Sequence, residues 1–354
     1  MLPYFVVLLL VMLLLFIGSN NKFNKPNKLS HYLSGIVLII FATIRSSGVG
    51  TDSNNYVEIF NEFKDSTESL FSVKTSLEIG YLILMEIALN ISNDYWSLFF
   101  LTALICVFTS YYTIYKLSDN IKVSVFIYIS LATYFFVFNG MRQAIAASIF
   151  GLAIYHLINK KIVGYFIIVL LASFFHSTAL IMFPFYYLLR FQFKIRNLIL
   201  FSIGSFIALY YLSSILTLFG ESYYSRYSVY EDRNSTGGYL LTLFFFIISL
   251  FFIFSRKKIE KSKLYEYDIY LNMCIFSSII YLVVSLTGSD VNFLRLTLYF
   301  SMCYVLIWPI IFRSVPIFKQ SITRLSFVII HLLFLFFYIS KFSNLNPYIF
   351  NNLI

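Results

Sequence analysis

The chain has 354 residues; 60% are hydrophobic and only 12% are charged, with 26 basic residues against 16 acidic ones and a formal net charge of +10. Soluble domains carry about 25% charged residues, so a water-soluble enzyme is excluded and lipid is the solvent. The basic excess, which in a soluble protein would suggest nucleic acid, has another explanation in its distribution along the chain.

Backbone polar groups in lipid must be satisfied internally, which leaves helix bundles or closed barrels. The apolar segments are continuous runs of roughly 14–22 residues and not alternating ten-residue strands, so an all-α polytopic bundle is expected. In chain order, helices are expected over 2–18, 30–45, 96–117, 122–139, 141–158, 162–175, 178–190, 197–219, 239–255, 268–287, 293–312 and 325–342. The first has no basic residue before it and no Ala-x-Ala site after it, which reads as a retained helix and not a cleaved signal. The helices over 162–175 and 178–190 are short for a core of about 30 Å, and Pro184 bends the second.

Cytoplasmic loops are enriched in Lys and Arg. The clusters Lys22/Lys25/Lys28, Lys116/Lys122, Lys160/Lys161, Arg190/Lys194/Arg196, Arg256–Lys263 and Arg313/Lys319/Arg324 hold 18 of the 26 basic residues. Placing them all inside gives twelve crossings in a single membrane domain, 1–354, with both termini outside. Twelve of the sixteen acids then fall outside, which the placement did not use. Residues 77–92 resist. If they crossed, making thirteen helices, every later basic cluster would flip; Glu78, Gly80 and Glu86 also make a poor lipid-facing span. The region 46–95 is therefore read as an extracytoplasmic loop holding a re-entrant or interfacial helix, and 220–238 as a second outer loop. Cys106, Cys274 and Cys303 lie far apart in sequence, all in apolar segments, and read as packed thiols.

The outer face gathers the chemistry. Arg45, Arg142, Arg226 and Arg295 all lie close to the membrane boundary on that side. Asn139-Gly140 breaks one helix and Met141 starts the next, so Arg142 and Gln143 occupy a first turn. Free backbone N–H groups and the macrodipole favour an anion there. An arginine at that end is electrostatically wrong for the helix unless an anion binds; the alternative is a side chain snorkelling to headgroups. Ala144, Ala147, Ser148 and Gly151 allow close helix packing behind it. Gly48-Val-Gly-Thr-Asp52 offers a carboxylate on a glycine-bearing loop, or a cap for a helix through 55–63. His176 lies at an outer helix end, as a base or as a structural residue. Tyr223, Tyr224, Tyr227 and Tyr230 read as interfacial belt residues, with a sugar-stacking surface as the alternative. No metal-ligand spacing, P-loop, dinucleotide fingerprint or nucleophile elbow is present. Catalysis would need scattered polar groups and a substrate with its own leaving group, which a lipid-linked diphosphate sugar supplies.

The ordered set Val49-Gly-Thr-Asp-Ser-Asn-Asn-Tyr56, Glu78-Ile-Gly-Tyr81, Asn139-Gly-Met-Arg-Gln-Ala-Ile-Ala146, Phe174-Phe-His-Ser-Thr-Ala179 and Arg295-Leu-Thr-Leu-Tyr-Phe300 resembles the EpsG/Wzy-like bacterial polysaccharide polymerases. Ile79 stands where that pattern has proline. The resemblance implies a membrane glycosyltransferase of GT-C-like architecture in the bacterial cytoplasmic membrane, with its active site facing outward. It would transfer a growing glycan from its undecaprenyl-diphosphate carrier to a new lipid-linked repeat unit. No cofactor or metal is implied; the partners would be lipid-linked repeat units, membrane lipids, and a chain-length regulator and flippase of the same pathway. The residues carried over are Asp52 and His176 as catalytic groups, with Asp52 the first choice of base. Arg142, Gln143, Arg295, Arg45, Arg226, Tyr56 and Glu78 would contact diphosphate or glycan. A ligase or single-sugar transferase would use the same carrier. A flippase would need mid-membrane charges and matching repeat halves, which the sequence does not display.

Overall fold

The computed structural model describes residues 1–18, 26–65, 77–193, 203–204, 237–287 and 291–351. Among them the regular structure is helical, and the chain divides into two compact units: 1–186 with 316–354, and 187–315.

The first unit opens with α1 (Leu2–Ile17), α2 (Lys28–Thr43), α3 (Ser53–Asp65) and α4 (Ile79–Ile91). It continues with α5 (Trp96–Leu117), α6 (Ile121–Ser130), α7 (Met141–Ile158) and α8 (Ile162–Ser173), and the division between the units falls within the short α9 (Phe185–Leu188). The second unit holds α10 (Gly237–Ser255), α11 (Leu264–Thr287) and α12 (Leu298–Ser314), and α13 (Ser321–Lys341) returns to the first. Large apolar side chains such as Leu9, Leu13, Phe16, Leu325 and Phe337 stand exposed. Bare apolar faces on this scale belong against lipid, not water.

Among the described residues, six helices are long and apolar enough to cross a membrane: Trp96–Leu117, Met141–Ile158, Gly238–Lys258, Lys261–Leu286, Phe293–Ser314 and Ser321–Lys341. That is half the twelve expected; α1, α2, α4, α6 and α8 are shorter, at 10–17 residues. The helix expected over 197–219, the loop 220–238 with its tyrosines, and Arg226 lie outside the described residues. Helix α4, at 13 residues, measures about 20 Å at 1.5 Å per residue, against a core of about 30 Å.

Two expected helices are broken. The one over 122–139 stops at Ser130, because Ala132 takes a left-handed φ of 62° and the chain resumes as a 3₁₀ turn, Tyr134–Phe138. Tyr134, Phe135 and Phe138 of that turn pack edge-on against one another, and such aromatic pairs add to burial. The one over 178–190 is a 3₁₀ turn, Ser177–Met182, followed by α9. Pro184 cannot donate to a carbonyl behind it, so the turn restarts rather than bends.

In the first unit, α7 packs mainly on α8 and α5, and α2 on α1 and α5. The buried Ala144, Ala146, Ser148, Gly151 and Ala153 of α7 permit that closeness. The segment after α13 folds back along the α2–α3 loop: Ser46 N–H donates to Ile349 O, Gly50 N–H to Asn344 O and Asn351 N–H to Ile44 O, at 2.8–2.9 Å. In the second unit, hydroxyl pairs hold α10 to α11: Thr242 with Ser285 at 2.6 Å and Ser249 with Ser278 at 2.7 Å. Cys274 of α11 and Cys303 of α12, distant in sequence, bring their free thiol sulfurs to 3.2 Å.

Candidate functional site

Glu78 stands at the N-terminus of α4, yet its side chain caps nothing there. It reaches instead to the starts of two other segments. Its Oε2 accepts from Arg142 Nη1 at 2.6 Å. Its Oε1 pairs with His176 Nδ1 at 3.0 Å and accepts the Ser177 N–H at 3.1 Å. Arg142, His176 and Ser177, 64, 98 and 99 positions away in sequence, thus meet on one carboxylate.

The motif around Glu78 explains how it is held. Gly80 N–H donates to Phe174 O at 2.9 Å, and a Cβ on Gly80 would stand 2.7 Å from that oxygen. Only glycine lets α4 come this close to the end of α8, and Phe174 is two residues before His176. Tyr81 is fully buried and donates to Met141 Sδ at 3.8 Å, tying α4 to the first residue of α7. Its ring lies 5.8 Å from that of Tyr56, whose hydroxyl hydrogen-bonds the Arg142 guanidinium.

Arginine at the start of α7 was expected to be wrong unless an anion is present. Glu78 is such an anion. Burial alone would raise the Glu78 carboxyl, but the His176 hydrogen bond, the Arg142 charge and the Ser177 amide outweigh it and hold the group at about 2. Glu78 is therefore ionised at neutral pH and is no base. It orients His176: with the Nδ1 proton on the carboxylate, a neutral ring presents Nε2 as an acceptor. The side chains of Arg142, His176 and Glu78 are 24%, 22% and 15% exposed, so the cluster is open to a ligand. Arg142 Nε is buried without a partner among the described residues, a cost of about 1–3 kcal/mol that a bound anion would relieve.

The Gly48–Asp52 loop packs beside this cluster. Gly50 has a φ of +111°, and a Cβ there would meet Phe138 O at 2.0 Å. Thr51 N–H donates to Asn139 Oδ1 at 2.8 Å, three residues before Arg142, and Ser53 Oγ donates to Phe138 O at 2.7 Å. Asp52 is partly exposed, and its carbonyl accepts the Tyr56 N–H as α3 begins. Gln143 is buried and faces the protein interior.

Arg45 does not join the cluster. It is 1% exposed, with its guanidinium 3.9 Å from the Phe99 ring centroid and 4.4 Å from that of Phe138. It donates to the carbonyls of Ala42 and Val137. A phosphate expected to bind there would find the cation covered. Arg295 lies in a 3₁₀ turn, Val291–Thr297, of the second unit, and Arg226 lies outside the described residues. Sequence reading took Glu78 for a residue out of place in lipid and a contact for glycan; its pairing with Arg142 and His176 has no local signal.

Apolar helices, a cluster of Arg, Glu and His at the ends of three of them, and an exposed apolar exterior define a helical membrane protein with a polar cluster at its helix ends. The chain belongs to the EpsG family, whose model matches residues 28–352. That membership points to a polymerase-like glycosyltransferase role in polysaccharide biosynthesis. No curated protein and no solved structure matches the chain.

Proposed function

We propose that the protein polymerises polysaccharide on the outer face of the cytoplasmic membrane, transferring a glycan from a polyprenyl diphosphate to a new lipid-linked repeat unit. The observation that carries this reading is the meeting of Arg142 and His176 on Glu78. One cation at a helix N-terminus suits a diphosphate. One imidazole beside it suits the acceptor hydroxyl.

In the step, the bond from the anomeric carbon to the diphosphate oxygen breaks and a bond to the acceptor oxygen forms. The acceptor proton passes to His176 Nε2. The charge growing on the departing diphosphate is met by Arg142 and the first-turn amides of α7. Geometry favours His176 over Asp52 as base, because Glu78 fixes its tautomer; Asp52, on the adjoining loop, then positions the acceptor sugar with Tyr56 at its side. The reaction needs no metal in this scheme and inverts the anomeric centre, since no covalent intermediate is required.

Purified protein, given lipid-linked repeat units isolated from cells lacking it, should build a ladder of products. Arg142→Ala and Arg142→Lys should both cut the rate, by about 10²–10³-fold for Ala; loss in the Lys variant separates forked anion binding from bare charge. Near-normal rates in both would remove Arg142 from the site, and a single addition in place of a ladder would make the enzyme a ligase.

A further inference from the structure

We propose that Glu78 is a placeholder anion. Its carboxylate occupies Arg142 while the site is empty, yields Arg142 to the incoming diphosphate, and stays on His176 to orient the ring for the acceptor. The inference rests on the reading above, and adds to it an order of events: donor capture frees one half of the carboxylate and leaves the other half working.

The two oxygens divide the labour. Among the described residues, Oε2 serves Arg142 alone, whereas Oε1 serves His176 and the Ser177 amide. The first contact can therefore break without disturbing the second. Arg142 gives Glu78 a single nitrogen, Nη1, and not the two-pronged fork that guanidinium and carboxylate form at their strongest. Its Nε, without a partner among the described residues, is a donor the carboxylate does not use. A diphosphate brings more charge and more oxygens than one carboxylate, so it wins that competition.

The carboxylate itself is not free to follow. Gly80 pins the start of α4 to Phe174, and Tyr81 pins it to Met141. The charged and titratable groups facing Glu78 are Arg142 from α7 and His176 from the segment after α8, with Tyr56 of α3 behind Arg142. When Arg142 turns to the donor, the His176 and Ser177 hydrogen bonds still satisfy the carboxylate. The negative charge it keeps stabilises the imidazolium that forms when His176 takes the acceptor proton.

The consequence is a pair of effects with opposite signs. A placeholder competes with the donor and assists the chemistry. A residue that merely holds the fold would, when removed, weaken both. Full-length protein in lipid nanodiscs should be titrated with inorganic diphosphate by calorimetry, and assayed for chain extension at saturating donor. Glu78→Gln should bind diphosphate about fivefold more tightly while turning over at least about tenfold more slowly. Glu78→Asp, which keeps the charge on a shorter arm, should recover part of the turnover, and serves if the Gln variant does not fold. Loss of both binding and turnover in the variants, or no change in either, would overturn the proposal. Arg142→Ala separates the two levels: if it still binds diphosphate as well as the parent, the underlying reading fails. If it loses binding while Glu78→Gln also weakens it, only the placeholder role fails.

Discussion

Arg45 and Arg142 are both arginines beside helix ends in the same unit of a chain that is mostly apolar, and they are kept in opposite ways. Arg45 is sealed between two phenylalanine rings and bonded to carbonyl oxygens. No carboxylate is among those contacts. Arg142 is partly open and faces a carboxylate and a phenol. Both guanidinium groups keep a buried Nε without a partner among the described residues, so what separates them is access. A cation sealed by rings and carbonyls is closed to any ligand; its charge serves packing. A cation held at a partly open surface by a carboxylate and a phenol can be reached by a ligand. Charge in an apolar chain marks function only where the partner can be replaced.

The comparison can be broken from its larger end. Arg142→Met should cut extension by about 10³-fold, with some loss of stability because Glu78 is left without its cation. Arg45→Met should do the reverse: a loss of roughly 3 kcal/mol in stability, from carbonyls and rings that lose their cation, with turnover per folded molecule little changed. The two sites are the same kind if both variants lose turnover per folded molecule.

A second test uses acid. Glu78 is held at about 2 against an ordinary value of 4.5. A carboxyl with a lowered folded value stabilises the fold above its unfolded value, and that contribution disappears as pH falls from about 4.5 toward 2. The shift corresponds to roughly 3 kcal/mol. Thermal unfolding of the parent should therefore worsen relative to Glu78→Gln over that window and not between pH 5 and 8. A difference that grows instead near neutrality would mean another group is titrating. The smallest expected effect is at Gly80. Gly80→Ala must push α4 off Phe174 O, at a cost of about 1–3 kcal/mol, and should lower turnover by moving Glu78 away from His176. An unchanged rate would mean that α4 does not position the carboxylate.

Much of the first unit was legible because its signals are local. The Asn139-Gly140 break and the small residues behind it place the start of α7 at Met141, as the structure has it. The uninterrupted run 96–117 is helix throughout. The break at Ala132 was not legible, since no glycine announces a left-handed residue; the packing of Tyr134, Phe135 and Phe138 decides it. Pro184 reads as a bend in one helix, whereas the chain has a 3₁₀ turn before it and α9 after it. The site was half legible. Arg142 and His176 stood out by their positions at helix ends. Glu78 pairs with them across 64 and 98 residues, a distance that no periodicity reports. The burial of Arg45 depends on rings from α5 and from the turn before α7, and on the returning chain at Phe350, bridged to Arg45 itself. It too is a tertiary fact.

The most direct measurement is a structure of the full-length protein with a polyprenyl diphosphate bound. The diphosphate should lie within hydrogen-bonding distance of Arg142, with Glu78 separated from Arg142 but still on His176 Nδ1. A diphosphate bound elsewhere, with the Arg142–Glu78 pair intact, would contradict the assignment of this cluster as the site of transfer.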